Sequence, residues 1–287
     1  MHAIARPAPA IYLDTSHVEE GLRLFTAVTI SPFKNIVFHL IPTLGAMMTG
    51  GILLRSNDPT QESMMSSHVK QRIIEEIRVL SQAAGVSPEP NLYTALSSLF
   101  STYGGTLSLE RPILCIPYQY LFRQGRNPFT QETSQDALAN DPWNFTDDET
   151  RFLISRQLAQ LKGDNLLRIA IKIALFTILY FVYINPLSMA MGITAGLLAL
   201  AIYLACEITF EANSNREGFE ILARRFDNRE RAQRAALSAL EKLKRQNILR
   251  RECNLLCRIY INEIGTNYLD LAHPSPQSSI DQIENLQ

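Results

Sequence analysis

The histidines and cysteines of this chain are the residues with the clearest capacity for metal or nucleophilic chemistry. Two imidazoles at i and i+4 on one helix, with a Glu beside the first, would hold and activate a zinc ion. The five histidines, His2, His17, His39, His68 and His273, form no such pair. The four cysteines, Cys115, Cys206, Cys253 and Cys257, lack zinc-finger spacing. Cys253 and Cys257 stand four apart, so on a helix they share a face, and they read as reduced, small core residues. No G-x-S-x-G, P-loop, dinucleotide fingerprint or CxxC occurs. Gly104-Gly105 reads as a turn rather than a phosphate cradle. Ser and Thr are plentiful, but no base-bearing constellation marks one as a nucleophile.

Composition narrows the field further. Of the 287 residues, 46% are hydrophobic and 19% charged, against about 25% charged in ordinary soluble domains. The 27 Lys+Arg against 28 Asp+Glu leave a net charge of −1, which argues against a nucleic-acid partner. The apolar content excludes disorder over most of the chain. With 13 Gly and 4 Cys, collagen-like and disulfide-scaffold classes are also excluded.

The elements that must position any site begin with a hydrophobic run. Ile173 to Cys206 is 34 residues without Asp, Glu, Lys or Arg. One straight helix of that length would measure about 51 Å, too long for a hydrocarbon core of about 30 Å. Asn185-Pro186 breaks the run, so it reads as a transmembrane helical hairpin over 166–206, with Arg168 and Lys172 snorkelling near its start. Its turn carries no basic residue, while both flanks are rich in them, which places both flanks in the cytoplasm. A second uncharged stretch, Asn35–Leu54, has the length of one span. Its Pro42, Gly45, Gly50 and Gly51 leave a core or re-entrant segment as the alternative. The lipid bilayer is therefore an expected partner and the expected location is a multi-pass membrane site.

Along the rest, residues 56–66 read as a linker. Ser67–Ala83 carries Val69, Ile73, Ile74, Ile77 and Leu80 at helical spacing, hence an amphipathic helix. Gly85–Pro90 is a loop, Leu92–Tyr103 a strand and a turn, and Arg111–Tyr118 a short strand bounded by prolines. Gln124–Asn144 is a polar loop. Thr146-Asp147-Asp148-Glu149 is a capping box that opens a helix with Phe152, Leu153, Leu158 and Leu161. Asn215–Cys257 reads as two helices broken at Asp227-Asn228, and Ser279–Leu286 as a last helix. Ser214–Arg258 holds 12 basic and 6 acidic residues. That reads as a solvated face on the positive-inside side, with a lipid-headgroup or acidic-partner face as the alternative.

The segment Phe145–Asn165 (FTDDETRFLISRQLAQLKGDN) resembles the active-site helix of the membrane zinc endopeptidases typified by HtpX and the type I CAAX prenyl protease. Gly85–Leu92, Pro112–Leu121, Thr209–Asn213 (TFEAN), Ala236–Leu243 and His273-Pro274 with Ile280–Leu286 follow in the family's order, and the hydrophobic hairpin sits where its members insert membrane helices. The resemblance spans roughly residues 67–286. It implies a mainly α fold with a small β-sheet, a zincin-like α+β peptidase domain interrupted by the transmembrane hairpin. The implied organisation is an N-terminal region (1–66), a first part of the peptidase-like domain (67–165), the hairpin (166–206) and a second part (207–287).

What the resemblance implies for chemistry is mostly loss. The family's H-E-x-x-H falls on Arg156, Gln157, Leu158, Ala159 and Gln160. A guanidinium at the first ligand position offers no lone pair. Gln157 at the general-base position takes up no proton at neutral pH. Gln160 replaces the second His, Thr209 the third ligand, and Asn213 the supporting Asp. Glu211, two residues past Thr209, is the acidic position if the register is shifted, and an Arg156–Glu211 ion pair would then stand in for the metal. The expectation is a membrane protein without zinc or catalytic residues, binding a peptide or membrane-protein partner by strand addition. Ile113–Ile116 is expected to be the receiving edge. The alternatives are an active metallopeptidase with atypical ligands, the one case that needs zinc, and a bacterial membrane-inserted effector unrelated to peptidases.

Overall fold

The computed structural model describes residues 40–48, 52–53, 67–95, 100–105, 108–117, 142, 145–162, 174, 177, 189–254, 257–267 and 274–286. The architecture over these residues is mainly helical with one small sheet. In chain order the elements are α1 (Pro42–Met48), β1 (Ile52–Leu53), α2 (Ser67–Ala84), β2 (Asn91–Ala95), β3 (Ser101–Tyr103) and β4 (Ile113–Pro117). They continue as α3 (Asp147–Lys162), α4 (Met189–Phe226), α5 (Arg229–Cys253), α6 (Cys257–Tyr260) and α7 (Pro276–Glu284).

The sheet runs β1-β2-β4-β3, with β2 and β4 parallel and both outer pairs antiparallel. Every residue of β4 is buried, because alternate side chains enter different layers. Leu114 and Ile116 pack with Ile77 and Leu80 of α2 and Ile154 and Leu158 of α3. Ile113 and Cys115 face Ala46 of α1, with Tyr93 and Tyr103 alongside. This corrects the expected edge: Ile113–Ile116 is paired on both sides and cannot receive another strand. The outer strand next to it is β3, whose three residues are half-buried.

The amphipathic helix forms as its periodicity predicts, presenting Ile77, Leu80 and Ala84 to the core. Gly85, at φ 71°, ends it. The amide of Val86 bonds the carbonyl of Ser81 and that of Gly85 bonds Gln82, a Schellman closure that needs the left-handed residue. A second core joins α3, α4, α5 and α7 through Phe152, Phe219, Leu222, Leu240, Ile280 and Ile283. Ala232, Ala235, Ala236 and Ala239 form the small face that lets α5 approach.

The capping box is present: the Thr146 amide donates to Glu149 at 2.6 Å and the Glu149 amide to Thr146 Oγ1 at 3.3 Å. Glu149 is 2% exposed. It also accepts from Lys242 Nζ at 2.8 Å and from the Ser238 hydroxyl, so cap and α5 share one carboxylate. Removing one member of a buried pair costs about 3–5 kcal/mol because the other charge stays desolvated. Lys242→Met is expected to lose that much in chemical denaturation, and Glu149→Gln/Lys242→Met less than the sum of the two single changes. Additive losses would show that the two charges do not couple.

The break at Asp227-Asn228 is as expected. Asp227 takes φ 49°, and Asn228 caps α5 by accepting the Arg231 amide at 2.9 Å. The helix before it starts much earlier than Asn215, since α4 runs unbroken across the expected 206/207 boundary. The N-terminal region also joins the sheet through β1, and α7 begins at Pro276 behind the cap Ser275 rather than at Ser279. Helix α5 ends at Cys253 with Asn254 as its cap, so the shared face expected for Cys253 and Cys257 does not form. Cys257 is buried against Tyr260, whereas Cys253 is exposed.

The linker 56–66, the loop 124–141, the hairpin's start at Leu166 and its turn at Asn185-Pro186 lie outside the described residues. Among the described residues no helix is long and apolar enough to cross a membrane. Asn35–Leu54 shows, in its described part, the seven-residue α1 and the two-residue β1. At 1.5 Å per residue α1 covers about 10 Å, far short of a span.

Candidate functional site

Helices α3 and α4 cross at close range where Gly218 meets Arg156. A Cβ on Gly218 would stand 2.7 Å from Arg156 Cα. The absence of a side chain there brings the two backbones together and sets Arg156 and Gln160, one turn apart on α3, against α4.

The residue they meet is Glu211. Its side chain is 3% exposed and that of Arg156 17%, and Arg156 Nη2 pairs with Glu211 Oε1. Gln160 Nε2 donates to Glu211 Oε2. One carboxylate thus takes a guanidinium on one oxygen and an amide on the other, the charge-assisted kind of contact that a buried anion requires.

The sheet closes the third side. Thr102 Oγ1 of β3 lies 3.5 Å from the amide oxygens of both Gln157 and Gln160. Gln157 is buried. Three of the expected site positions, Arg156, Gln157 and Gln160, and the acid Glu211 therefore converge beside the outer strand.

Thr209 and Asn213 do not take part. Thr209 is exposed and its hydroxyl bonds the Ala205 carbonyl one turn back at 2.8 Å. Asn213 is exposed as well. Of the two registers read from TFEAN, the shifted one brings an acid to the site. Thr102 had no signal in the sequence, because the strand's placement over α3 depends on pairing between distant segments.

The donor set does not suit zinc. Zn²⁺ takes imidazole nitrogen, thiolate or carboxylate oxygen in a tetrahedral shell. Among the described residues a cationic guanidinium holds the site's only carboxylate, and the other polar groups are amides and a hydroxyl. Among the described residues no three His, Cys, Asp or Glu converge elsewhere. Hydrolysis by an activated water would also need a proton acceptor, and Gln157 is none. The site can hydrogen-bond a ligand through amide and hydroxyl groups.

Ion pairs away from the site hold the helix layer in place. Arg151 of α3 bonds Glu76 of α2 and Asp148, each at 2.9 Å. Burial pulls the Arg151 pKa down, but the hydrogen bond to Glu76 and the field of Glu76, Asp147 and Asp148 outweigh it and raise it. Arg231 of α5 also reaches Asp148, at 2.7 Å. These contacts bind α2 and α5 to the first turn of α3, opposite the end that carries Gln160.

No family model matches this chain, and no curated protein or solved structure matches it either.

Proposed function

We propose that this chain is a non-catalytic relative of the HtpX-type membrane zinc endopeptidases. The hairpin 166–206 anchors it in a bilayer with both flanks on the cytoplasmic side, and the protein works by holding a peptide or protein partner. The observation that carries the reading is the meeting of Arg156 and Gln160 with Glu211. Positions matched to two metal ligands on one helix converge on an acid of α4, the helix that continues the hairpin's second arm, as metal ligands would, but the cation is a guanidinium. The positive charge that would organise such a site is retained and the chemistry is lost.

The partner is an extended segment that adds to β3. This strand has β4 on one side and no strand on the other among the described residues, and Thr102 links it to Gln157 and Gln160. Backbone bonds along such an edge give affinity with little sequence demand, and alternate side chains reach the neighbouring surface. The uncharged run supports the anchor: its second arm, Leu187–Cys206, has the length of a span, and the first reaches a similar length when it begins at Leu166 and takes in Arg168 and Lys172.

Screening the detergent-purified full chain against a library of extended peptides tests the reading. Amide hydrogen exchange is followed at Ser101–Tyr103, with the peptide's integrity checked by mass spectrometry. Bound peptides are expected to slow exchange in β3 and to be recovered whole. Peptides recovered cleaved, or protection confined to other elements, would overturn the proposal.

A further inference from the structure

We infer that α1 and the adjoining Leu109 form a second membrane contact, a docking face lying in the lipid interface beside the apolar arm of α4. The inference rests on the membrane reading above and adds to it a site that the hairpin does not supply.

The face is built from exposed side chains that a water-facing surface does not explain. Ile41, Leu44 and Met47 are 39%, 39% and 64% exposed, and Leu109 is 79% exposed. Ile41, Leu44 and Met47 recur every third residue along the start and body of α1, on the side opposite the buried Pro42, Gly45 and Ala46. Leu109 belongs to the same surface, because its amide bonds the Leu40 carbonyl at 3.0 Å. Glu110 then bonds both the amide and the hydroxyl of Thr43. Leu109 and Glu110 are thereby held against α1.

The place of this face in the fold points to what covers it. Phe100, before β3, packs against both cores. Thr102 has reached Gln157 and Gln160. Gly104, two residues on, lies against Pro42, where a Cβ would stand 2.7 Å from its Cγ. Strand β3 therefore leads toward the end of α3 and delivers α1 there. Helix α4 points to the same end: Gly218 touches Arg156, Glu211 touches Gln160, and the turns before Glu211 run on past them. Those turns carry the exposed Leu198, Ile202 and Ile208. The α1 face and the apolar arm of α4 thus share one end of the molecule.

Charge agrees with a bilayer as the occupant. No Asp, Glu, Lys or Arg lies between Asn35 and Leu54. Beside the loop the exposed Arg111 offsets the exposed Glu110, so the face carries no net charge. An uncharged apolar face can lie in the plane of a membrane with its side chains at the headgroup–acyl boundary. Helix α1 has seven residues and is too short to span, so the contact proposed is a surface one. Seating it there would fix the Thr102 edge at a set height above the lipid.

The test uses tryptophan as a depth probe in the full chain, reconstituted in phosphatidylcholine–phosphatidylglycerol vesicles with or without brominated phosphatidylcholine. The single native tryptophan is removed by Trp143→Phe, and one of Met47→Trp, Leu109→Trp, Leu198→Trp or Ile259→Trp is added. Ile259 is 78% exposed on α6 and serves as the aqueous control. Matching melting curves establish that each variant folds. The inference expects blue-shifted emission and bromine quenching at positions 47, 109 and 198, and neither at 259. Quenching at 198 with 47 and 109 behaving like 259 overturns the docking face and leaves the hairpin standing. No quenching at 198 overturns the membrane reading and this inference together.

Discussion

Replacing Arg156 by alanine is expected to destabilise the protein by about 3–5 kcal/mol, the range for stripping one partner from a buried ion pair. Glu211 is nearly sealed from water. Without the guanidinium its remaining strong contact is the amide of Gln160, which does not compensate a full charge. Direction can be separated from size with a second change. Arg156→Ala/Glu211→Gln removes the stranded charge and is expected to recover part of the loss, because a neutral amide at position 211 can still bond Gln160. Urea denaturation of the detergent-purified protein, followed by circular dichroism, reads both variants. An unchanged midpoint in Arg156→Ala would mean that the pair contributes nothing to the fold and is not a substitute for a metal.

The second large effect is a gain. The variant Arg156→His/Gln157→Glu/Gln160→His restores a His-Glu-x-x-His spacing on α3, and the wild-type contacts already direct positions 156 and 160 at Glu211. Two imidazoles and a carboxylate make a three-ligand set with room for a fourth, which binds about one zinc per chain. The expected result is stoichiometric zinc in the variant after purification with the metal and desalting. Adding Glu211→Gln should abolish it, whereas adding Thr209→Ala should not. Zinc bound without dependence on Glu211, or dependent on Thr209, would show that the acidic position has been misassigned.

Much of the fold could be read from residue spacing, because the signals were local. The capping box at Thr146–Glu149, the stripe of α2 and the stop at Asp227-Asn228 each depend on neighbours a few positions away. The edge strand could not be read in this way. A continuous apolar run such as Ile113–Ile116 marks a strand buried on both faces, yet the run alone does not say which segment lies beside it. That segment is the short, polar Ser101–Tyr103, which has little strand signal of its own. Which of Thr209 and Glu211 faces α3 could not be read either, for a geometric reason. Two residues along a helix turn the side chain by about 200°, so Thr209 and Glu211 point to opposite sides. Only the packing of α4 on α3, set by Gly218 against Arg156, chooses between them. Glu149 was readable as a cap residue, but its buried partner Lys242 was not, since it lies 93 residues away.

The most direct test of a guanidinium in the metal's place is the metal content of the unmodified protein, purified in detergent and incubated with zinc before desalting, with casein digestion on the same sample. The site described here predicts a folded protein without stoichiometric zinc and with casein left intact. One zinc per chain together with cleavage would contradict it, because Arg156 could not then occupy the cation's place beside Glu211.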